Sequence, residues 1–246
     1  MAPVGTREWA IATRGALGFP DMIRLARDAL LGQLAELLGS RTKAATVVVE
    51  REPPDSALAR RVLALAEATY SAPLLGHCLR CWLWADLLAG LDGVGYDEEL
   101  LYVSCLLHDL ALMDPYRPGQ AQCFAVHGGE VALAALVSHG APESFAEAAA
   151  EAITLHMNIR MPAGSGPEAR LLHDAAHLDV VGTRARRLSP DAIRAVLDRH
   201  PRSGFASAFV ELMRREATER PRSRAGVLWR SGMRLPVSLN PLDRIR

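Results

Sequence analysis

Between residues 55 and 219, apolar side chains return every three or four positions, and each run of them ends in a Gly- or Pro-rich break. That period turns one stripe of a helix toward a core, whereas strands would need strict alternation. The runs cover 55–70, 73–90, 97–112, 122–139, 141–158, 167–183, 189–199 and 203–219. Between them stand breaks such as "GLDGVGYD" (90–97), "MDPYRPGQ" (113–120), "HGAPES" (139–144) and "MPAGSGPE" (161–168). Ser189 followed by Pro190 has the form of a helix start, an N-cap and then a proline whose missing N–H costs nothing there. Further upstream, Ile23, Ala26, Leu30, Leu34 and Leu37 give 21–39 the same helical spacing. The stretch "ATVVVEREPPD" interrupts the pattern, with a short strand expected at Val47–Val49 and a stop at Pro53-Pro54. After Pro221 the period fades, and "RSGMRLPVSLNPLDRIR" reads as an irregular tail. The expectation is an all-α chain: a helical N-terminal extension (1–54), one helical bundle (55–220) and an irregular C-terminal tail (221–246).

Half of the 246 residues are hydrophobic, enough for a large core, and 28 basic residues balance 28 acidic ones. No net charge draws such a chain to nucleic acid or an anionic membrane. The basic runs "RARR" (184–187) and "RSRAG" (222–226) are expected to be solvated surface. The first twenty residues lack a basic segment followed by an apolar one, and no apolar run reaches the ~18 residues that span a bilayer. Four cysteines do not make a disulfide framework, so the expected location is cytoplasmic. Cys78 and Cys81 form a C-x-x-C without a second pair, inside an apolar helical stretch, and read as small core hydrophobes.

Several polar residues do not belong in this pattern. They are His77 in "PLLGHCLRCWLWA", His108 and Asp109 in "LLHDLAL", His156 in "AEAITLHMN", and His173, His177 and Asp179 in "ARLLHDAAHLDVVG". Burying such groups costs several kcal/mol or more unless they are paired or coordinated. One histidine can be satisfied by a hydrogen bond in a core. Four helices each contributing such groups point instead to a shared cation, since imidazole and carboxylate are ligands of first-row divalent metals. His173-Asp174-x-x-His177 weakly mimics the H-E-x-x-H zinc motif, but with a shorter acid and no evident third ligand.

The order His77, His108-Asp109, Asp179 across helical segments resembles the HD superfamily of metal-dependent hydrolases. "PLLGHCLRCWLWADLLA" resembles its first-histidine helix and "LLYVSCLLHDLAL" its HD helix. "FAVHGGEVALAALVSHG", "AEAITLHMN", "HLDVVG" and "HPRSGFASAFVELMRREATERP" resemble segments of the cyanamide hydratase-like branch, so the resemblance spans roughly 55–228. It implies an HD-domain helical bundle holding a divalent metal ion, Zn or Fe with Mn also compatible, on His77, His108, Asp109 and Asp179. The chain departs from the branch at Phe124-Ala125-Val126, where the branch usually carries an acid in the middle. Members with two metals use further histidines, which His127 and His156 could supply. The expectation here is one metal, with His156 and Asp109 catalytic and His156 moving protons or donating to substrate.

Arg80 is expected either to anchor a substrate anion or to pair with an acid in the core. His127 and Phe124 are further expected substrate contacts, and Trp82, Trp84, Cys123, Phe124 and Met157 could line a compact apolar pocket. The resemblance thus implies an enzyme using metal-activated water on a small molecule, such as hydration of a nitrile-like substrate like cyanamide. A phosphohydrolase for a small phosphoester or nucleotide is less favoured: Lys43 is the only lysine and lies outside the domain, although arginine also binds phosphate. The third reading is a non-catalytic HD-like ligand-binding module. A small-molecule substrate is the expected partner, without nucleic acid or membrane, and a homo-oligomer stays open.

Overall fold

The computed structural model describes residues 2, 4–38, 51–119 and 123–245, the side chains of 34–38 excepted. The strand expected at 47–49 lies outside the described residues. Among those described, all regular structure is helical. The N-terminal part holds α1 (Arg7–Thr13) and α2 (Phe19–Leu38). The bundle comprises α3 (Ala57–Thr69), α4 (Ala72–Asp92), α5 (Glu98–Leu107), α6 (Phe124–Ser138), α7 (Glu143–Leu155), α8 (Pro167–Val181), α9 (Pro190–Arg199) and α10 (Phe205–Glu219). A 3₁₀ turn at Leu110–Leu112 follows α5.

Local chemistry explains where these helices begin and stop. The hydroxyl of Ser56 accepts from the Ala59 N–H at 2.9 Å, the Asp97 carboxylate from the Leu100 N–H at 2.9 Å, and Ser189 from the Ala192 N–H at 3.2 Å. Each satisfies a donor that the first helical turn leaves open. Gly93 closes α4 in the left-handed conformation that side chains resist, with φ at 66°. Helix α4 is apolar on all sides, as a central helix must be, and α5, α8, α9 and α10 pack around it. Cys78 and Cys81 are fully buried in that packing, and all four cysteines are free.

A second apolar cluster sits over the bundle. In it Trp9 and Leu17 from the N-terminal part meet Phe124, Met157, Phe205 and Val227. The C-terminal segment is not an irregular tail. It continues as α11 (Arg224–Leu228), a π-helical turn (Trp229–Met233), α12 (Arg234–Ser238) and a 3₁₀ turn (Pro241–Arg244). Helices of five residues are too short to display a period or to stand alone, so they take their order from packing on α8 and α10. The two basic runs are surface only in part, with Arg186 and Arg222 exposed. Arg184 pairs with Asp92 and Asp174, and Arg224 is 1% exposed. No helix among the described residues is long and apolar enough to cross a membrane.

Candidate metal centre

Two helix ends and one helix interior supply the polar cluster. His77 projects from the middle of α4, and His108 caps α5. Asp109 then takes φ −103° and ψ 6°, the sparsely populated bridge region common at active sites, as the chain passes into the 3₁₀ turn. His156 caps α7.

Each imidazole is fixed through its Nδ1. That of His108 donates to the Cys105 carbonyl at 2.8 Å and that of His156 to the Ile153 carbonyl at 2.6 Å. A carbonyl can only accept, so Nδ1 carries the proton in both rings. Burial pushes both pKa values down, that of His156 well below the usual value, which keeps the rings neutral and leaves Nε2 as a bare lone pair. The Nδ1 of His77 donates to Asp179 Oδ2 at 2.7 Å.

The free sides of these rings converge. His77 Nε2 lies 3.2 Å from His108 Nε2, and Asp109 Oδ2 lies 3.6 Å and 3.5 Å from them. That carboxylate oxygen is buried without a hydrogen-bond partner among the described residues. Ligands about 2.1 Å from a common ion stand ~3.0–3.4 Å from one another, so the triangle has the size a first-row cation requires. Two histidines and a carboxylate form a donor set used by zinc and by ferrous iron. His156 Nε2 stands one step back, 4.0 Å from Asp109 Oδ1, its ring edge-on to His108 with centroids 5.0 Å apart.

Asp179, expected among the ligands, approaches from the far side of His77. Its Oδ1 accepts from Arg80 Nε and Trp84 Nε1, both at 2.8 Å, and forms an ion pair with Arg202 at 3.0 Å. Its Oδ2 accepts from Arg80 Nη2 at 2.9 Å as well as from His77. Burial alone would raise its pKa, but Arg80 and Arg202 outweigh burial and hold the carboxylate well below the usual range. Of the two roles open to Arg80, the structure places it in the core pair. It is fully buried, and its remaining nitrogen donates to the carbonyls of His200 and Pro201.

The other expected residues divide. The Phe124 ring meets His156 with centroids 5.7 Å apart, whereas His127 is partly exposed beside Glu130, 3.3 Å away, and does not join the cluster. Met157 is buried next to His156, and Cys123 next to Phe124. Trp84 backs Asp179 and Trp82 packs edge-on against Tyr102, so neither tryptophan is free to line a pocket. The zinc-motif reading of His173 fails on its partners. Its Nε2 is engaged with the Asn158 carbonyl and its Nδ1 with Asp174, which Arg184 also holds.

Sequence reasoning missed several neighbours of the centre. Phe205 stacks on the His77 ring at 4.7 Å, and Arg202 neutralises Asp179. Arg202 comes from the loop after α9, which carries no periodic signal, and Phe205 opens α10 in a periodic run that marks a core side without saying which side chain meets His77. Cys81, four residues after His77 and so on the same helix face, places its sulfur 3.7 Å from both ring nitrogens. Burial and Asp179 push its thiol pKa well up, so it is neutral there. Glu216, Arg220 and Arg224, spaced by four, are all buried. Glu216 accepts from the Phe124 N–H at 3.4 Å, Arg220 donates to the Pro118 carbonyl at 3.1 Å, and Arg224 reaches the turn around His156.

Comparison with known proteins agrees with this geometry. A family model described as HD domain matches residues 74–193. The chain is similar to two proteins of Saccharomyces cerevisiae, Cyanamide hydratase DDI2 and Cyanamide hydratase DDI3. It is 29% identical to each over 172 residues, which cover 69% of this chain and 76% of theirs.

Proposed function

We propose that this chain, which an HD domain family model matches over residues 74–193, is a metal-dependent enzyme that adds water to a small uncharged substrate, with cyanamide as the leading candidate. The observation that carries the reading is the triangle of His77 Nε2, His108 Nε2 and Asp109 Oδ2, two imidazole nitrogens and an orphaned carboxylate oxygen aimed at one point. These three would hold the ion, zinc or iron, and would leave room for water, as a catalytic site requires. A divalent ion there would lower the pKa of a water molecule toward ~7 and supply hydroxide near neutral pH.

The chain's own groups divide the remaining work. Asp179 fixes the ring and tautomer of His77 from behind, an outer-shell role that raises the basicity of a ligand histidine. His156 is held through Nδ1, so Nε2 is the atom that takes a proton from the attacking water and returns it to the substrate nitrogen. Hydration of a nitrile group forms one C–O bond, moves protons from water to nitrogen and expels no leaving group, so it needs no anion-binding pocket. That matches the cationic groups near the centre: Arg80 and Arg202 are bound to Asp179, and Arg224 holds backbone and Asn158. Phe124 and Met157 exclude bulk water beside His156. Four buried free thiols suit a cytoplasmic setting.

The test combines metal analysis of purified protein with assays on cyanamide, small nitriles and generic phosphodiesters. About one equivalent of a divalent metal and metal-dependent formation of urea from cyanamide are expected. Cleavage of phosphodiesters with cyanamide untouched would overturn the substrate reading, and protein that takes up no metal would overturn the site.

A further inference from the structure

Arg224 lies in the basic run at 222–226, yet it is 1% exposed. Its Nη1 donates to Asn158 Oδ1, and its Nη2 donates to the Thr154 carbonyl at 2.8 Å and lies 3.9 Å from Cys123 Sγ. Its Nε is buried without a partner, and no carboxylate lies within ion-pair distance of it among the described residues. A guanidinium buried without a counter-charge costs several kcal/mol, so stability does not explain its place.

What it grips does. Thr154 and Asn158 bracket His156 in the turn that ends α7. Asn158 is also tied to its surroundings: its side-chain N–H₂ donates to the Gly5 carbonyl at 2.6 Å, its N–H to the Leu155 carbonyl at 2.9 Å, and its carbonyl meets His173 Nε2 at 2.9 Å. Cys123 leads into Phe124, whose ring forms the other wall of His156. One rigid fork thus spans both sides of the turn, a geometry that arginine offers and the single ammonium of lysine does not.

We propose that Arg224 is a positioning residue that holds the 154–158 turn so that His156 Nε2 stays aimed at Asp109. The proposal rests on the reading of His156 as the group that moves protons. Its consequence is that the C-terminal helix α11 sets the turnover of a centre to which it contributes no ligand.

The experiment uses zinc-loaded protein with ¹⁵N-labelled histidine, in which the His156 ring signals are identified by their loss in His156→Ala. In Arg224→Ala the His156 signals shift or broaden while those of His77 and His108 stay, and dilute free guanidinium restores them. With cyanamide, kcat falls about 10–100-fold, KM and metal content stay within about twofold, and guanidinium restores part of the rate. Arg224→Lys keeps charge and bulk, and it decides the matter should the alanine variant not fold. Its His156 signals are displaced and its kcat falls about tenfold. Unchanged His156 signals in the lysine variant would overturn the proposal, as would lower melting temperature with normal turnover per folded molecule. If wild-type protein leaves cyanamide untouched, the proposed substrate fails, and the histidine spectra still decide whether Arg224 positions His156.

Discussion

Asp109 and Asp179 are buried alike, at 2% and 0% exposed, on opposite sides of the His77 ring, and their surroundings are opposites. Behind the ring, Asp179 collects hydrogen bonds from Arg80, Trp84 and His77 and an ion pair with Arg202. In front of it, Asp109 keeps an oxygen with no hydrogen-bond partner among the described residues, facing two bare imidazole nitrogens. A satisfied buried carboxylate locks the helices that carry it, whereas an unsatisfied one costs about 1–3 kcal/mol or more. The back of the site therefore works for stability, and the front is a local frustration that the proposed cation would relieve.

Exchanging the two acids tests that contrast most sharply. Asp109→Ala is expected to abolish metal uptake and activity, with the metal-free protein melting at the same temperature as wild type or higher. Asp179→Asn should do the reverse in kind. Losing one member of a buried charge network costs the metal-free fold about 3–5 kcal/mol. Metal affinity weakens by about 10–100-fold because His77 loses its orienting partner. Melting curves with and without metal, beside metal stoichiometry, read both. A large loss of metal-free stability in Asp109→Ala would break the comparison.

The next effect concerns His156, which stands in front but outside the triangle. His156→Ala should keep its metal and lose about 10²–10⁴ in rate, the usual weight of a general acid–base group. Half the metal of wild type would make it a ligand of a second ion instead, and near-normal turnover would remove it from the chemistry.

The smallest effect lies in the pH dependence of the metal-free protein. His108 and His156 have folded pKa values below the ordinary 6.5, chiefly through burial, so the unfolded chain binds protons more readily than the folded one. The front of the site therefore loses stability as pH falls below ~6.5. Asp179 is depressed below the usual carboxylate range, so the stability it gives persists until pH drops below about 4. Urea midpoints across pH 4–8 should decline already in the upper window, and less steeply in His156→Ala. A flat profile down to pH ~4 would assign no cost to the buried imidazoles.

Helix boundaries were legible where local chemistry sets them. The runs 167–183 and 189–199 became Pro167–Val181 and Pro190–Arg199 because Pro167, Gly182 and Ser189 act within one turn of themselves. The short C-terminal helices were not, since their order comes from contacts with distant helices rather than from a pattern of their own. In the site, the misplaced polarity of His77, His108, Asp109 and His156 was visible because such residues need compensation in an apolar run. The partition of roles was not. Which side of His77 faces Asp179 depends on Arg202, which approaches from beyond α9. Arg224 was hidden by company, since a basic run is usually hydrated. His127 stands only three residues after Phe124 on α6, yet it pairs with Glu130 at the surface while Phe124 is buried, and sequence order alone did not separate them.

The spacing of Glu216, Arg220 and Arg224 has a meaning in time as well as in space. The proposed ligands, His156 and the Asp179 that orients His77 are all encoded by residue 179, whereas the contacts that set Phe124 and the His156 turn come from residues 216–224. At about 5–20 residues per second, ribosomes take ~2–10 s to cover that interval. During it a growing chain already owns its imidazoles but not the struts that aim them. A chain ended after residue 179 would thus hold the proposed ligands without the contacts that aim His156, and the helices that follow supply them.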